Sequence, residues 1–170
     1  PDGEITEYQR LLDISDAHAE VTYRRDGKRF KAEYIASAPD SAIVIRLSSE
    51  APIEASISLD SPLPHQTSAS GNMLVSDGYA AWHSYPNYDY NFKERFLYDP
   101  DRGIHYRTVV SCDGAAAQDG KLVISGVNEA VILIVNSTSF AGFDRDPVKE
   151  GKEYKEAALM NMELAMGKDW

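Results

Sequence analysis

The feature that most constrains this chain is the alternation of apolar and polar residues in steps of two. Residues 53, 55, 57 and 59 are apolar while their neighbours are polar, and residues 30, 32, 34 and 36 repeat the pattern. Successive side chains of a β-strand point to opposite faces, so these segments predict strands with one solvated face. Short strands joined by tight turns predict an all-β fold, an antiparallel β-sandwich.

Turn signals divide the strands. Asp26-Gly27 and Asp119-Gly120 predict two-residue hairpins, because both central positions of such a turn need residues that tolerate a positive φ. Pro39-Asp40 predicts another turn, into a strand over residues 42–47, and residues 104–110 form a further predicted strand. Residues 130–135 are apolar on both faces and predict a central strand that is covered on both sides.

The last fifth of the chain changes period. After Gly151 the apolar residues follow helical spacing and predict a helix over about 152–166. Its apolar stripe consists of Tyr154, Ala158, Leu159, Met162 and Met166. No strand follows the helix, so we expect this stripe to lack a partner within the chain.

The segment over residues 62–100 is the least regular part and the richest in aromatic residues. Eight aromatics fall within twenty residues: Tyr79, Trp82, Tyr85, Tyr88, Tyr90, Phe92, Phe96 and Tyr98. Aromatic rings on a long connection stack on the C–H faces of sugars, which favours carbohydrate contact. The alternative is that the rings pack under their own loop and fasten it to the sandwich.

Charge and motifs exclude several functions. The 27 acidic and 17 basic side chains leave a net charge of −10, which disfavours nucleic acid and anionic membranes as partners. The four histidines are far apart and the single Cys112 cannot form an internal disulfide, so we expect neither a metal site nor a cofactor. No nucleophile elbow or phosphate loop is present, and an esterase or lyase reading has no supporting residues.

Several stretches, in this order and spacing, together resemble the amino-terminal domain of glycoside hydrolase family 95. They are Tyr8 to Ala17, Val21 to Tyr23, Asp26-Gly27, Ala36 to Asp40, Ile43 to Leu47, Gly78 to His83, Leu97 to Arg107, Thr138 to Asp144, Pro147 and Gly151. The resemblance covers residues 8–151.

The resemblance implies a parent enzyme that removes terminal α-L-fucosyl, or in some members α-L-galactosyl, residues from glycans with inversion. In that family an amino-terminal β-supersandwich is joined by a helical linker to an α/α toroid, which holds the catalytic groups. Residues 1–148 would then be part of the supersandwich, and residues 149–170 the beginning of the linker. No catalytic residue is expected in this chain itself.

The resemblance also implies partners and a location. The chain would pack against the toroid of its own polypeptide and assist glycan binding. Because the family's domain has an earlier half, we expect strand edges left open, and a homodimer through these edges or through the Met162 and Met166 stripe. The first residues lack the order of a signal peptide and Pro1 is not an initiating Met, so we expect an upstream signal and a periplasmic or secreted parent.

Two segments are candidates for sugar contact. In the first, Trp82 and Tyr85 would stack on a sugar face while His83 binds a hydroxyl group. The second lies beside the linker and contains Phe140, Phe143 and Asp144. Both segments have the alternative role of packing against the toroid. A function from another class, a free-standing carbohydrate-binding module that uses the aromatics between Tyr79 and Tyr98, remains open.

Overall fold

The structure is a computed structural model that describes residues 3–170. It contains eleven strands and one helix: β1 (Ile5–Asp13), β2 (His18–Arg25), β3 (Lys28–Ser37), β4 (Ala42–Ile57), β5 (His65–Ser70), β6 (Met73–Tyr79), β7 (His83–Ser84), β8 (Phe96–Leu97), β9 (His105–Cys112), β10 (Ala115–Gln118), β11 (Lys121–Thr138) and α1 (Tyr154–Met166). No helix among the described residues is long and apolar enough to cross a membrane.

Nine strands form one antiparallel sheet in the order β1-β2-β3-β4-β11-β9-β6-β5, and β10 pairs with the first part of β11. The other two strands, β7 and β8, pair only with each other in a small ribbon. The predicted central strand is confirmed, because residues 130–135 lie in β11 between β4 and β9. Strand β1 forms one end of this order.

Both predicted hairpin turns are confirmed. Asp26 and Gly27 have φ values of 50° and 75°, and Asp119 and Gly120 have φ values of 49° and 75°. Each pair connects two strands that lie in direct register, β2 with β3 and β10 with β11. Left-handed φ at both central residues matches the twist of the flanking strands, so the two dipeptides set the register locally.

The longest strands bend and fold the sheet over itself. The predicted strands over residues 42–47 and 53–59 are not separate, because both lie in the single strand β4, which ends at Ile57, and residues 121–124 and 130–135 both belong to β11. The register between β4 and β11 shifts on either side of Val127, next to Gly126 with φ of 73°. Bulges of this kind bend a strand without ending it. The predicted all-β, sandwich-like fold is confirmed, and the bends form it.

Two apolar cores lie on opposite faces of the sheet. One is closed by the folded-over part, where Ile53, Leu122 and Ile124 pack on Leu74, Val110, Cys112 and Ile132. The other is closed by α1. The bent ends of β4 and β11 therefore act as a second layer over one face, while the helix covers the other.

The expectation that the helix stripe lacks a partner is wrong. Ala158, Met162 and Ala165 are buried against the sheet residues Ala42, Val44, Val109, Leu133 and Val135. Spacing of four and three residues places the three side chains on one face of α1. Because Met162 is only 1% exposed, it cannot take part in the predicted dimer surface, whereas Met166 of the same stripe is 43% exposed.

The end of the chain fastens the helix further. The Nε1 of Trp170 donates to the carbonyl of Ala165 at 2.8 Å, and Lys168 forms an ion pair with Asp40 at the end of the β3–β4 turn. The helix is thus an integral part of the sheet's core.

Candidate functional site

Strands β6 and β11 end, and β9 begins, at the same end of the sheet. Both candidate segments are connected to these strands at that end. Tyr79, the last residue of β6, pairs with His105, the first residue of β9. Thr138, the last residue of β11, pairs with Tyr106 of the same strand β9. The aromatic segment 80–104 and the loop 139–152 therefore lie at the same end of the sheet.

His105 and Ser139 connect the two segments. The backbone N–H of His105 donates to the Ser139 Oγ at 3.0 Å, and the Ser139 N–H donates to the His105 carbonyl at 2.9 Å. Ser139 is buried, and its carbonyl accepts the N–H of Lys152 at 3.0 Å. One buried serine thereby holds the end of β11, the start of β9 and the approach to α1 in a fixed arrangement.

The His105 ring extends this junction into the aromatic segment. Its Nε2 lies 2.7 Å from the carbonyl oxygen of Pro100. The ring also lies 5.7 Å, between centroids, from Tyr79 and 6.1 Å from Tyr154 of α1. Sequence reasoning missed this residue, because its partners are separated from it by up to 49 positions and no local pattern marks them.

The aromatic segment forms a ribbon rather than a disordered loop. His83 pairs with Leu97 and Ser84 with Phe96, and the N–H of Tyr85 donates to the carbonyl of Arg95 at 2.9 Å. The N–H of Trp82 donates to the Leu97 carbonyl at 3.0 Å. This ribbon gives Trp82, His83 and Tyr85 a defined backbone geometry.

The three predicted contact residues lie in one row. The ring centroids of Trp82 and His83 are 5.4 Å apart, and His83 meets Tyr85 edge-on at 4.7 Å. Tyr85 in turn stacks on Phe92 at 3.6 Å with parallel planes. The guanidinium carbon of Arg102 lies 3.3 Å from the centre of a Trp82 ring. Packing within the segment therefore occupies one face of Trp82 and one face of Tyr85.

Arg102 and Phe92 thus fix the orientation of the row from both ends. His83 lies in the middle of the row and is exposed, while Trp82 keeps about one third of its surface accessible. A rigid row of aromatic rings with an exposed imidazole is suited to stacking on a sugar and to hydrogen bonding with its hydroxyl groups. The rings can therefore pack within the segment on one face and contact a sugar on the other, so the two predicted roles do not exclude each other.

The tip of the ribbon carries two more rings that face solvent. Tyr88 and Tyr90 are both strongly exposed. The Arg95 guanidinium lies 5.9 Å from the Tyr90 ring, and its Nη1 donates to the Asn87 carbonyl at 2.6 Å. The tip is therefore held by Arg95 while the tyrosines remain accessible.

The second candidate segment presents one ring to solvent. Phe143 is 99% exposed at the tip of its loop, Phe140 is about half exposed, and Asp144 is exposed. No ring contact within residues 3–170 joins these side chains to Trp82, His83 or Tyr85. The structure therefore brings the two segments to one end of the sheet, without a ring contact between their candidate side chains.

Hydrogen bonds within residues 145–150 hold the end of the second loop that precedes α1. The Asp146 carboxylate accepts the N–H groups of Lys149 at 3.0 Å and Val148 at 2.9 Å, and these two bonds lower the pKa of Asp146. The Glu150 carboxylate accepts from the Asp146 N–H and pairs with Arg145, both at 3.1 Å. Asp146 thus caps a turn that precedes the helix, which explains an acidic residue before Pro147 without a catalytic role.

A shallow groove of about 330 Å³ lies beside the junction, lined by residues that include His65, Asp77, Tyr79 and Lys155. Next to it the Arg107 guanidinium donates to both oxygens of Asp77, at 2.8 and 2.6 Å. These hydrogen bonds lower the pKa of Asp77 and keep it ionised. Nowhere in residues 3–170 do three or more His, Cys, Asp or Glu side chains lie close enough to hold a metal ion.

Comparison with known proteins identifies the family of this chain. The family model described as "Glycosyl hydrolase family 65, N-terminal domain" matches residues 1–142. The chain is also 28% identical, over 150 residues, to "Alpha-L-fucosidase 2" from Arabidopsis thaliana. That match covers 79% of this chain but 17% of the plant protein. The predicted amino-terminal domain of a glycoside hydrolase with a fucosidase relative is confirmed; the prediction named family 95, whereas the family model that matches carries the number 65.

The match to the family model extends from the first residue into the loop before α1, and so includes the whole sheet and the first candidate segment but ends before Phe143 and Asp144 of the second. This protein belongs to the family described as "Glycosyl hydrolase family 65, N-terminal domain".

Proposed function

We propose that this chain is a non-catalytic domain of a glycoside hydrolase that removes terminal α-L-fucosyl or α-L-galactosyl residues from glycans with inversion. The family match and the fucosidase relative support the class of enzyme. The observation that carries the role is the rigid row of Trp82, His83 and Tyr85 beside the loop that leads to α1. In this proposal the row contacts the glycan while another domain supplies the catalytic carboxyl groups.

The rest of the proposed parent follows from the same assignment. Residues 1–148 form the sandwich part, and residues 149–170 begin the connection to an α/α toroid. The loop with Phe140, Phe143 and Asp144 lies next to this connection and would pack against the toroid or reach toward its sugar site. The proposal also places the parent in the periplasm or outside the cell.

The glycan-contact role is tested in the whole parent enzyme. We expect Trp82→Ala and His83→Ala to raise the KM for a fucosylated oligosaccharide about tenfold, because each substitution removes one stacking or hydrogen-bonding contact of about 1–1.5 kcal/mol. The kcat should change little. Tyr8→Ala, which removes an exposed ring from the distant strand β1, serves as the control. An unchanged KM in both row variants would overturn the role of the row.

A second function is favoured by the exposed rings of Tyr88 and Tyr90. A held but accessible pair of tyrosines is typical of a carbohydrate-binding surface, so the chain would bind glycans as a module by itself. Titration of the chain with fucosylated oligosaccharides, followed by tryptophan fluorescence and calorimetry, tests this function. Saturable binding that Tyr90→Ala abolishes would favour the module, and a flat response by both methods would remove it.

A further inference from the structure

Two arginines of the aromatic segment lie against aromatic rings. The guanidinium carbon of Arg102 is 3.3 Å from the centre of a Trp82 ring, and that of Arg95 is 5.9 Å from the centre of the Tyr90 ring. Neither arginine forms an ion pair with any of residues 3–170. Four arginines elsewhere in the chain do pair with acids: Arg24 with Glu7, Arg46 with Glu129, Arg107 with Asp77 and Arg145 with Glu150. The charges of Arg95 and Arg102 are thus available to another molecule.

Two acids of the same segment are engaged in turns. The Oδ1 of Asp99 accepts the N–H of Asp101 at 2.9 Å, and the Oδ1 of Asp89 accepts the N–H of Asn91 at 3.1 Å. An aspartate that accepts a hydrogen bond from the backbone two residues further on stabilises its own turn. These two carboxylates therefore have a local structural role, and neither pairs with an arginine of the segment.

The turn before β9 holds Arg102 against Trp82. The N–H groups of Arg102 and Gly103 both donate to the carbonyl of Asp99, at 3.1 and 2.9 Å. Gly103 is buried, and a β-carbon at this position would collide with the carbonyl oxygen of Ala80. Because only glycine permits so close an approach, the turn lies directly against the chain that leads into Trp82. Arg102 itself is exposed, so the fold fixes its position and leaves its guanidinium accessible.

A guanidinium held beside a row of rings is suited to a sugar that carries a carboxylate. The planar guanidinium offers paired N–H groups whose spacing matches the two oxygens of a carboxylate, and the aromatic ring restricts its motion. A neutral sugar would leave this charge without a partner. In a uronic acid the carboxylate is attached directly to the sugar ring, so a uronic acid that stacks beside Trp82 brings an anion close to Arg102.

We propose that Arg102 pairs with the carboxylate of a uronic acid residue in the glycan that the row of Trp82, His83 and Tyr85 contacts. This inference rests on the proposed function and adds the class of glycan, an acidic oligosaccharide. The net charge of −10 disfavours long polyanions at the surface of the chain. The site therefore fits a glycan with isolated carboxylates.

Substitution of Arg102 in the whole parent enzyme tests the proposal, with two substrates that differ in one charge. One is a fucosylated oligosaccharide that contains a glucuronic acid residue, and the other is the same oligosaccharide with that carboxyl group reduced to an alcohol. Arg102→Gln should raise the KM for the acidic substrate about five- to tenfold, because one charge-assisted contact at an exposed site is lost. The KM for the neutral substrate should change less than about twofold. Arg102→Lys, which keeps the charge without the fork of N–H groups, should raise the acidic KM about two- to threefold.

Arg10→Gln is the matched control, because it removes the same charge from an exposed position on the distant strand β1 and should change neither KM. Circular dichroism checks that each variant folds. If Arg102→Gln raises both KM values equally, Arg102 only holds Trp82 in place and the proposal is wrong. Two unchanged KM values would also overturn it and leave Arg102 to a carboxylate of another domain. Failure of the proposed function has a different signature, because Trp82→Ala would then leave the KM for both substrates unchanged.

Discussion

At the scale of single residues, the ion pair between Asp77 and Arg107 is the strongest polar contact beside the candidate site. Its two parallel hydrogen bonds have the fork geometry that makes arginine–carboxylate pairs specific. The pair connects β6 to β9 immediately behind the Tyr79–His105 junction. The ion pair therefore stabilises the pairing of β6 with β9, from which the candidate segments extend.

The Asp77 pair predicts a pH-dependent stability. Because Arg107 lowers the pKa of Asp77 in the folded protein, the pair stabilises the fold above the unfolded pKa of about 3.9 and loses this effect as the pH falls through the folded value. After allowance for solvent screening, Asp77→Asn should cost roughly 1–2 kcal/mol at pH 7. Urea unfolding at pH 7 and near pH 3 should show the difference from wild type shrinking in acid. Asp101→Asn, in an exposed turn, is the control.

The burial of Cys112 predicts that its thiol reacts slowly in the folded protein. It is completely buried, and this burial, with a smaller effect of Asp113, raises the pKa of its thiol to about 11. At pH 8 the thiolate fraction and the access of reagents are both small. A chromogenic disulfide reagent should label the native protein only at the rate of unfolding, and should label it fully in urea. Stoichiometric labelling of the folded protein within minutes would contradict the burial of this thiol.

At the scale of elements, helix α1 has two unlike faces that offer an internal control. Met162 is 1% exposed and fills the core above β4, β9 and β11, whereas Met160 is 57% exposed. Met162→Ala should destabilise the fold by about 2–4 kcal/mol, because it leaves a cavity. Met160→Ala should change the free energy of unfolding by no more than about 0.5 kcal/mol. Equal effects in urea unfolding would contradict the packing of α1 on the sheet.

The elements also show what the amino-acid pattern can predict. The Asp26-Gly27 and Asp119-Gly120 turns were predictable because positive φ is a local requirement that few dipeptides meet. The continuity of β11 was not predictable, because a glycine with positive φ occurs both in a bulge, as at Gly126, and in a turn that ends a strand. The partner of the helix was missed because the pattern of α1 shows an apolar face but not which sheet residues lie opposite it.

The candidate site also has parts that the sequence predicts and parts that it does not. Trp82, His83 and Tyr85 are near neighbours in the chain, so their shared row followed from the sequence. The contact between His105 and Ser139 joins residues 34 positions apart and depends on the order of β9 and β11 in the sheet. Long-range pairing of this kind has no signature in a single sequence.

At the scale of the whole molecule, the helix is inseparable from the sandwich. Removing residues 152–170 would expose Val44, Val109, Leu133 and Val135 to water. We expect the truncated chain 1–151 to aggregate or to unfold at a lower urea concentration than the full chain, because the apolar surface that α1 covers would face water. Analytical ultracentrifugation and urea unfolding measure both effects. A truncated chain as soluble and as stable as the full one would show that α1 acts only as a connection.

The division of labour between this domain and the catalytic part of its parent is the central claim, and one assay tests it directly. The purified chain of residues 1–170 and the whole parent polypeptide are incubated with an aryl α-L-fucoside, and release of the aryl group is measured. The account predicts turnover by the parent and none by the chain alone. Turnover by the purified chain, lost on substitution of one of its own carboxyl groups, would contradict it.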